Sequence, residues 1–246
     1  RRRRWPGRVT PGAVALADIV EVVVWCSAMG PDVRVALSDG PAIRAQLDEV
    51  CGLYVEVFSA PPFCWSVDEP DRHRHRLEAL LGDPSFGVAL AHAGDRLVGF
   101  AYGFTLAPTT TWWVGLVPRR PATMTTERPG RTFVLFDFAV RQGYRGQGIG
   151  HALHDTLLGS RPERRATLAT QPAAVQTKQL YERWGWRLVG RAAGGPTAAA
   201  PLFDIYLRTR IDDLAGPGAR PRRRRPATPA AVAATPRSTP GSVAGT

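Results

Sequence analysis

The sequence predicts one α/β domain whose sheet is mixed, parallel in some places and antiparallel in others, and is flanked by helices. Three observations predict this class. Strand-like and helix-like apolar patterns alternate along residues 31–215. A Gly-Asp pair at 94–95 separates two apolar runs, which is typical of a β-hairpin. A glycine-rich turn at 145–150 joins an apolar strand to an amphipathic helix.

The first elements are a strand and two helices. The segment "VRVALSD" (33–39) alternates apolar and polar residues, as a half-buried strand does. Apolar residues then recur at helical spacing over 43–58, and the Pro-Pro pair at 61–62 ends this helix. Ser66 and Asp68 are candidate caps for a second helix.

A hairpin and a buried strand follow. The hairpin consists of "FGVALAHA" and "RLVGFAYGFTL" on either side of 94–95. Residues 107–131 are polar and rich in Pro and Thr, which predicts a connecting segment. The nearly continuous apolar run "TFVLFDFAV" (132–140) predicts a strand buried on both faces.

The last part of the domain begins at the glycine turn. An amphipathic helix follows the turn, then a short strand at 166–170 and a helix at about 173–184. Two further strands are expected near 186–192 and 201–208. The predicted order is β-α-α-β-β-β-α-β-α-β-β, with no internal repeat.

The net charge of +11 is concentrated at the two ends of the chain. Residues 1–30 contribute +3 and residues 216–246 contribute +6, which leaves +2 for residues 31–215. Because the body is nearly neutral, we expect no specific nucleic-acid partner. Phosphate binding through the arginine-rich ends is the alternative, and it predicts that affinity vanishes when both ends are removed.

Both ends are expected to lie outside the folded domain of residues 31–215. Residues 1–30 form a basic N-terminal extension that is disordered or precedes a native start at Met29. Residues 216–246 form a disordered tail rich in Pro, Ala and Arg.

Localisation is predicted from two features of the sequence. Residues 1–30 have a basic start and an apolar stretch, as a secretory signal or anchor does, and this is the alternative interpretation. Asp18 and Glu21 interrupt the apolar run, so we expect no membrane association. The three cysteines show neither metal-ligand spacing nor a disulfide framework: Cys26, Cys51 and Cys64. We therefore expect a reducing cytoplasm and no metal.

The turn "RGQGIG" (145–150) has the properties of an anion site. A strand that ends in a glycine turn and leads into a helix leaves free backbone N–H groups at the positive end of the helix dipole. Such a site holds a phosphate or diphosphate. Three glycines let the ligand approach the backbone, and Arg145 adds planar donors.

Two common phosphate-binding motifs do not fit this turn. A P-loop requires Lys and then Ser or Thr after its last glycine, but His151 follows Gly150. The dinucleotide fingerprint requires G-x-G-x-x-G and an acidic residue about 20 positions later. Here the spacing is G-x-G-x-G, and "ATLAT" (166–170) carries no acid.

The turn instead resembles the acyl-coenzyme A site of the GNAT N-acetyltransferase superfamily. The family signature Arg/Gln-x-x-Gly-x-Gly/Ala is matched by residues 145–150. The segment "QTKQLYERWGW" (176–186) is similar to a second family block, a helix that ends in Leu-Tyr-Glu-x-x-Gly-aromatic. The predicted element order is also that of the family, so the resemblance covers about residues 31–210.

The resemblance implies a GNAT-like acyl-CoA acyltransferase fold, with a mixed, mostly antiparallel sheet flanked by helices. It implies acetyl-CoA as cofactor, with the pantetheine arm paired to the backbone of Phe138, Ala139 and Val140. The residues implied to hold the diphosphate are Arg145, Gly146, Gln147, Gly148, Ile149 and Gly150. The implied reaction is acetyl transfer to a primary amine by direct attack in a ternary complex. A small molecule is the favoured acceptor, and an aminoglycoside-like molecule or a protein amino group is the alternative. A homodimer is an option for the assembly.

The resemblance also suggests catalytic residues. Tyr181 is the candidate acid for the departing thiolate, and packing against core or cofactor is the other interpretation of this residue. Asp137 lies within an apolar strand, where an acid is costly without a role, and is a candidate base or partner for the substrate ammonium. Glu127 is a more remote candidate. A structural hydrogen bond of Asp137 and water-relayed deprotonation stay open.

Two departures from the family pattern favour an alternative function. Ala169 stands where some members carry a catalytic Glu, and Ala174 replaces an Asn that commonly contacts pantetheine. A non-catalytic acyl-CoA-binding or regulatory module is therefore the second interpretation.

Aromatic residues near the implied acceptor site suggest a pocket, with local packing as the alternative. They are Phe58, Phe63, Trp65, Trp112 and Trp113. If these residues line a pocket, an apolar or aromatic amine fits better than a polycation. His73 and His75 lie about 200° apart on the predicted helix, so we expect a solvated surface rather than a joint metal site.

Overall fold

The computed structural model describes residues 32–209, except residues 64, 66, 196 and 197. The predicted N-terminal extension and C-terminal tail lie outside the described residues, as do Cys26, Cys64 and the proposed Ser66 cap. The strands are β1 (Val33–Ser38), β2 (Gly87–Ala93), β3 (Arg96–Thr105), β4 (Thr132–Val140), β5 (Arg165–Thr170), β6 (Arg187–Ala193) and β7 (Leu202–Thr209). The helices are α1 (Gly40–Ala45), α2 (Leu47–Phe58), α3 (Glu69–Leu80), α4 (Ala122–Thr125), α5 (Ile149–Gly159) and α6 (Val175–Arg183).

The strands of the described residues form one sheet in the order β1-β2-β3-β4-β5-β7-β6. Every neighbouring pair is antiparallel except β4 and β5, which run parallel. Parallel neighbours need a crossover, and α5 supplies it between these two strands. The predicted mixed, mostly antiparallel sheet is therefore confirmed.

The single parallel pair is also short. Only Thr132–Val134 of β4 pairs with Arg165–Thr167 of β5. Beyond this point β4 continues to Val140 and pairs on its other side with β3 alone. The sheet therefore splits, and the side of β4 that faces β5 has unpaired backbone groups from Leu135 onward.

Helices cover both faces of the sheet. α5 packs on one face through Leu153 and Leu157, which are fully buried against Val98 and Phe133. α2 and α3 pack on the opposite face, where Leu53 and Leu77 lie in a second core. Burial of each such leucine contributes roughly 1.5–3 kcal/mol relative to exposure. The two cores fix the split part of β4 between them.

Three local features differ from the sequence-based expectations. The helix predicted over 43–58 is two helices, because the backbone of Gln46, between α1 and α2, is not helical. The Gln46 side chain lies 3.1 Å from Nε2 of His92. The connecting segment 107–131 contains the short helix α4. Asp68 is the first flanking residue of α3 but makes no side-chain cap, since its carboxylate pairs with Arg72.

Two further properties concern the described residues as a whole. Within them, no helix combines the length and the apolar character that a membrane span requires. They also contain no group of three or more His, Cys, Asp or Glu side chains arranged to hold a metal ion. Cys51 is buried as a free thiol.

Candidate active site

The glycine turn adopts a backbone conformation that only glycine takes up readily. Gly146 has φ of 76° and Gly148 has φ of 79°, both in the left-handed region. A Cβ atom at Gly146 would meet no heavy atom within 4 Å, so this position needs glycine for its conformation rather than for space. The turn leads directly into α5, with Gly148 as the residue before the helix.

The start of α5 leaves amides free. Among the described residues, no side chain caps this helix, and its first backbone bond runs from Ala152 N to Gly148 O at 3.0 Å. The N–H groups of Ile149, Gly150 and His151 therefore have no acceptor within the helix. Together with the helix dipole they form a site that attracts an anion.

The predicted turn residues divide into two groups. Arg145, Gly146, Gly148 and Gly150 line the cleft between the split strands. The side chain of Gln147 instead donates to Gly143 O at 3.1 Å, and Ile149 is buried in the core below the turn, so these two residues offer only backbone atoms. Nε of Arg145 donates to Val140 O at 2.9 Å, which ties the guanidinium to the end of β4.

The open edge of β4 continues this surface. Phe138, Ala139 and Val140 all line the cleft. Because β4 has no partner here on the β5 side, its N–H and C=O groups are available to an extended ligand that carries amides. We call this region, Phe138–Val140 with Arg145–Gly150 and the start of α5, the glycine half of the cleft.

A bulge in β4 determines which side chains face α2 and α3. Tyr102 of β3 is opposite Asp137, whereas the next residue, Gly103, is opposite Leu135, so Phe136 is the extra residue. Phe136 and Asp137 therefore both turn toward the α2–α3 face, while Leu135 and Phe138 pack on the α5 face. A Cβ atom at Gly103 would lie 1.8 Å from Val134 O. The bulge thus depends on a glycine opposite it.

Asp137 lies in the cleft with a defined set of partners. Tyr102 donates a short hydrogen bond to its carboxylate, and Nε2 of His73 lies 3.8 Å from the same oxygen. Burial raises the pKa of Asp137 to about 6, although the Tyr102 hydrogen bond and the Arg76 charge act in the opposite direction. At neutral pH the group is therefore ionised but close to its titration range, as a general base requires.

His73 corrects the expectation of a solvated histidine pair. It is fully buried, it stacks on Tyr54 with ring centroids 3.6 Å apart, and its Nε2 lies 3.0 Å from the Tyr102 hydroxyl. Only His75 is exposed. Burial, with the nearby Arg76 and Arg74 charges, lowers the pKa of His73 to about 3, so the ring is neutral. Because Tyr102 donates to Asp137, Nε2 of His73 must donate to the Tyr102 oxygen.

A second set of hydrogen-bonded side chains, Tyr54, Glu69 and Arg76, lies beside His73. Tyr54 donates to Oε1 of Glu69 at 3.0 Å, and Nη2 of Arg76 donates to the same oxygen at 2.5 Å. Glu69 is fully buried, whereas Arg76 reaches the cleft. Sequence analysis missed Tyr102, His73 and Arg76 as residues around Asp137, because nothing in the local sequence links β3 and α3 to β4.

Tyr181 is brought to the same cleft by α6. Its ring is buried against Trp184 and Trp186, and it lines the cleft. Burial, and secondarily the Asp137 charge, raises the pKa of its hydroxyl, which therefore stays protonated at neutral pH. Among the described residues this hydroxyl has no hydrogen-bond partner, so it is available to a ligand.

The predicted aromatic residues are mostly, but not all, at the cleft. Phe58, Phe63, Trp65 and Trp112 line it. Trp112 packs in a different hydrophobic cluster from the other three, and Phe136, which also lines the cleft, packs against both clusters. Trp113 is instead buried, and its Nε1 donates to Glu127 at 2.9 Å. We call the lining set Phe58, Phe63, Trp65, Trp112 and Phe136, together with Asp137, the aromatic half of the cleft.

The remaining candidates are placed as follows. Glu127 does not line the cleft, because its carboxylate is buried in an ion pair with Arg165 at 2.6 Å and accepts from Thr132. Ala169 and Ala174 both line the cleft, so the two positions that depart from the family pattern face the ligand space.

The cleft as a whole has a volume of about 1550 Å³. A pocket for one small molecule usually has roughly 300–1,000 Å³. The space is therefore sufficient for two ligands at once, with an anion-binding backbone at one end and a carboxylate within aromatic walls at the other.

Comparison with known proteins identifies the family of this chain. The sequence model of the Acetyltransferase (GNAT) family matches residues 50–186, which is more than half of the chain. The match includes most of α2, the bulged strand, the glycine turn and Tyr181. No curated protein sequence matches the chain.

Several solved structures are similar to this chain at low identity. PH1933 from Pyrococcus horikoshii OT3 is 17% identical, with 72% of this chain and 98% of that protein covered and a TM-score of 0.49. The ribosomal-protein-S18-alanine N-acetyltransferase from Escherichia coli is 16% identical, with 72% and 94% covered and a TM-score of 0.46. An aminoglycoside 6'-acetyltransferase type Ii is 17% identical, with 71% and 96% covered and a TM-score of 0.49.

Proposed function

Since the chain belongs to the Acetyltransferase (GNAT) family, whose members are acyltransferases that use acetyl-CoA, we propose that it acetylates a primary amine of a small molecule by direct attack in a ternary complex. One observation carries the proposal. A single cleft is lined by the free amides of the glycine turn, by the open edge of β4, and by both Asp137 and Tyr181.

The residues of the glycine half fit coenzyme A. The amides of Ile149, Gly150 and His151 are unpaired in the helix and suit a diphosphate, and Arg145 adds a positive charge beside them. The unpaired edge at Phe138–Val140 suits an arm that carries amide groups. These backbone contacts are far from the reacting bond, so their binding energy positions the thioester.

The bound acetyl-CoA supplies a thioester carbonyl to the acceptor amine. Asp137 holds the acceptor's ammonium group beside it and takes one proton from that group, which leaves a neutral amine that can attack. Its pKa of about 6 makes the carboxylate the dominant form above that pH. Tyr102 fixes the carboxylate in place through its hydrogen bond.

Tyr181 acts at the other end of the breaking bond. Its protonated hydroxyl donates to the sulfur atom as charge develops there, and α6 holds it in position through the contacts with Trp184 and Trp186. Asp137 then releases its proton to solvent. The nitrogen loses a second proton to solvent as the nitrogen–carbon bond forms and the carbon–sulfur bond breaks, and Tyr181 takes one from solvent to replace the proton that it gave to the sulfur.

Two measurements on the full chain test this proposal. Calorimetry with coenzyme A is expected to give saturable binding. Release of free thiol from acetyl-CoA is expected to depend on an added small amine, with background hydrolysis measured in its absence. Failure to bind coenzyme A contradicts the cofactor site. Binding without release, across single amines, diamines and amino sugars, contradicts transfer to a small amine.

A further inference from the structure

The walls of the aromatic half come from three separate segments. The end of α2 and the turn after it supply Phe58, Phe63 and Trp65, whose ring centroids lie 4.9 to 5.8 Å apart. Trp112 comes from the segment between β3 and β4, and Phe136 from the bulge. Such ring geometry is typical of packed aromatic clusters, yet each of these rings also lines the cleft.

The charge of this half is small and well defined. Among the described residues that line the whole cleft, the only carboxylates are Glu56 and Asp137. Glu56 forms an ion pair with Arg141, so its charge is compensated. Arg76 pairs with Glu69 and also interacts with Asp137, while His73 is neutral. Glu69, Arg76 and ionised Asp137 together therefore carry a net charge of −1.

A net charge of −1 compensates one ammonium group and no more. A second ammonium group would lose its hydration against aromatic walls without an opposite charge nearby, and that cost would reduce its affinity. A single ammonium group beside Asp137 instead leaves the rest of the acceptor against Phe58, Phe63 and Trp65, where apolar surface is buried favourably.

We propose that the acceptor is a primary amine with one positive charge carried on an aromatic or otherwise apolar body, and that polycationic amines are excluded. The proposal rests on the proposed function for the transfer step, but the binding preference follows from the aromatic half alone.

Two matched pairs of amines separate the contributions of ring and charge. Ethylamine and 2-phenylethylamine differ only by the ring, and we expect kcat/KM to be about fiftyfold higher for the second, from burial of its apolar surface. Hexylamine and 1,6-diaminohexane differ only at the far end, and we expect the monoamine to be favoured at least about tenfold. Equal values in the first pair, or a preference for the diamine, overturn the proposal.

Two variants test whether the aromatic half causes the preference for 2-phenylethylamine over ethylamine. Phe63→Ala is expected to reduce the advantage of 2-phenylethylamine over ethylamine about tenfold, with KM for acetyl-CoA unchanged. Val67→Ala is the control, because Val67 lies four positions further along the chain, is 98% exposed and does not line the cleft. An unchanged preference in Phe63→Ala, with intact acetyl-CoA kinetics, overturns the assignment of the wall.

Direct binding distinguishes failure of this inference from failure of the proposed function. The same four amines are titrated into the full chain saturated with coenzyme A, and heat is recorded by calorimetry. If amines bind in the expected order but no acetyl group is transferred, the inference stands and the proposed function fails. If acetyl transfer occurs without the expected order of amines, the proposed function stands and the inference fails.

Discussion

The glycine half and the aromatic half of the cleft are made of different parts of the chain. The first consists of backbone: unpaired amides at the start of α5, two left-handed glycines, and the open edge of β4. The second consists of side chains from the end of α2 and the turn after it, from the segment between β3 and β4, and from β4. They lie up to 79 positions apart, between Phe58 and Asp137. In the proposed complex, backbone groups would contact the ligand of the first half, and side chains would contact the ligand of the second.

The difference has a chemical consequence. Backbone amides bind any ligand of the right charge and extended shape, so the first half suits one molecule used throughout a family. Side chains change with single substitutions, so the second half can differ between relatives without affecting the first. Substitutions in the two halves should therefore have separable effects.

The largest effect is expected for Asp137→Asn, which removes the base but keeps the shape. We expect kcat to fall about 10²–10⁴-fold at neutral pH, with the affinity for coenzyme A unchanged. Steady-state kinetics and calorimetry measure the two quantities. Asp95→Asn, on the exposed hairpin turn, is the control. A variant that retained the original rate would remove Asp137 from the mechanism.

Tyr181→Phe tests whether the Tyr181 hydroxyl donates to the sulfur atom between the two halves of the cleft. We expect kcat to fall about 10²-fold, because the sulfur atom loses a donor, whereas coenzyme A binds as before since the ring packing is kept. Rate and affinity are measured as for Asp137→Asn. An unchanged kcat would leave Tyr181 with a packing role alone.

Gly146→Ala affects the glycine half only. At φ of 76° a Cβ atom costs about 1–2 kcal/mol, so we expect the Kd of coenzyme A to rise about tenfold. Amine binding should not change. Gly52→Ala is the matched control, because Gly52 lies within α2, its φ is not in the left-handed region, and it has free space around its Cβ position. Equal coenzyme A affinities in both variants would contradict the assignment of the turn.

Tyr102→Phe is expected to move the pH dependence rather than the maximal rate. The Tyr102 hydrogen bond lowers the pKa of Asp137, so its loss raises that pKa above about 6. The base works when ionised, and the acidic limb of the kcat/KM profile should therefore shift to higher pH, by about one unit. Tyr206→Phe, a buried tyrosine that donates to Glu182 instead, should leave the limb in place.

The features of the glycine half are local in sequence and those of the aromatic half are not, and this difference explains what could be predicted from the sequence. The strands of the hairpin and β4 were predicted within one or two residues, because period and turn residues are local signals. The glycine turn was predicted for the same reason. His73 was wrongly expected at the surface, since its burial depends on Tyr54 and Tyr102, which are distant in the chain. The break at Gln46, whose side chain contacts the distant His92, was not predicted either.

Asp137 shows where sequence reasoning succeeds and where it ends. An acid within an apolar strand indicated a role, but its orientation depends on the bulge, and the register of two strands is not visible in either one alone. The roles of Asp137, Tyr181 and the turn residues stay predictions until the variants are measured.

Gly103 does not line the cleft. It lies opposite the bulge that orients Asp137, and any side chain at this position would overlap the carbonyl oxygen of Val134. In a library of random variants selected for acetylation, we expect position 103 to tolerate fewer replacements than the positions of the aromatic rings in the proposed acceptor site. Redesign toward new amines can therefore start from the rings, provided that position 103 is kept fixed.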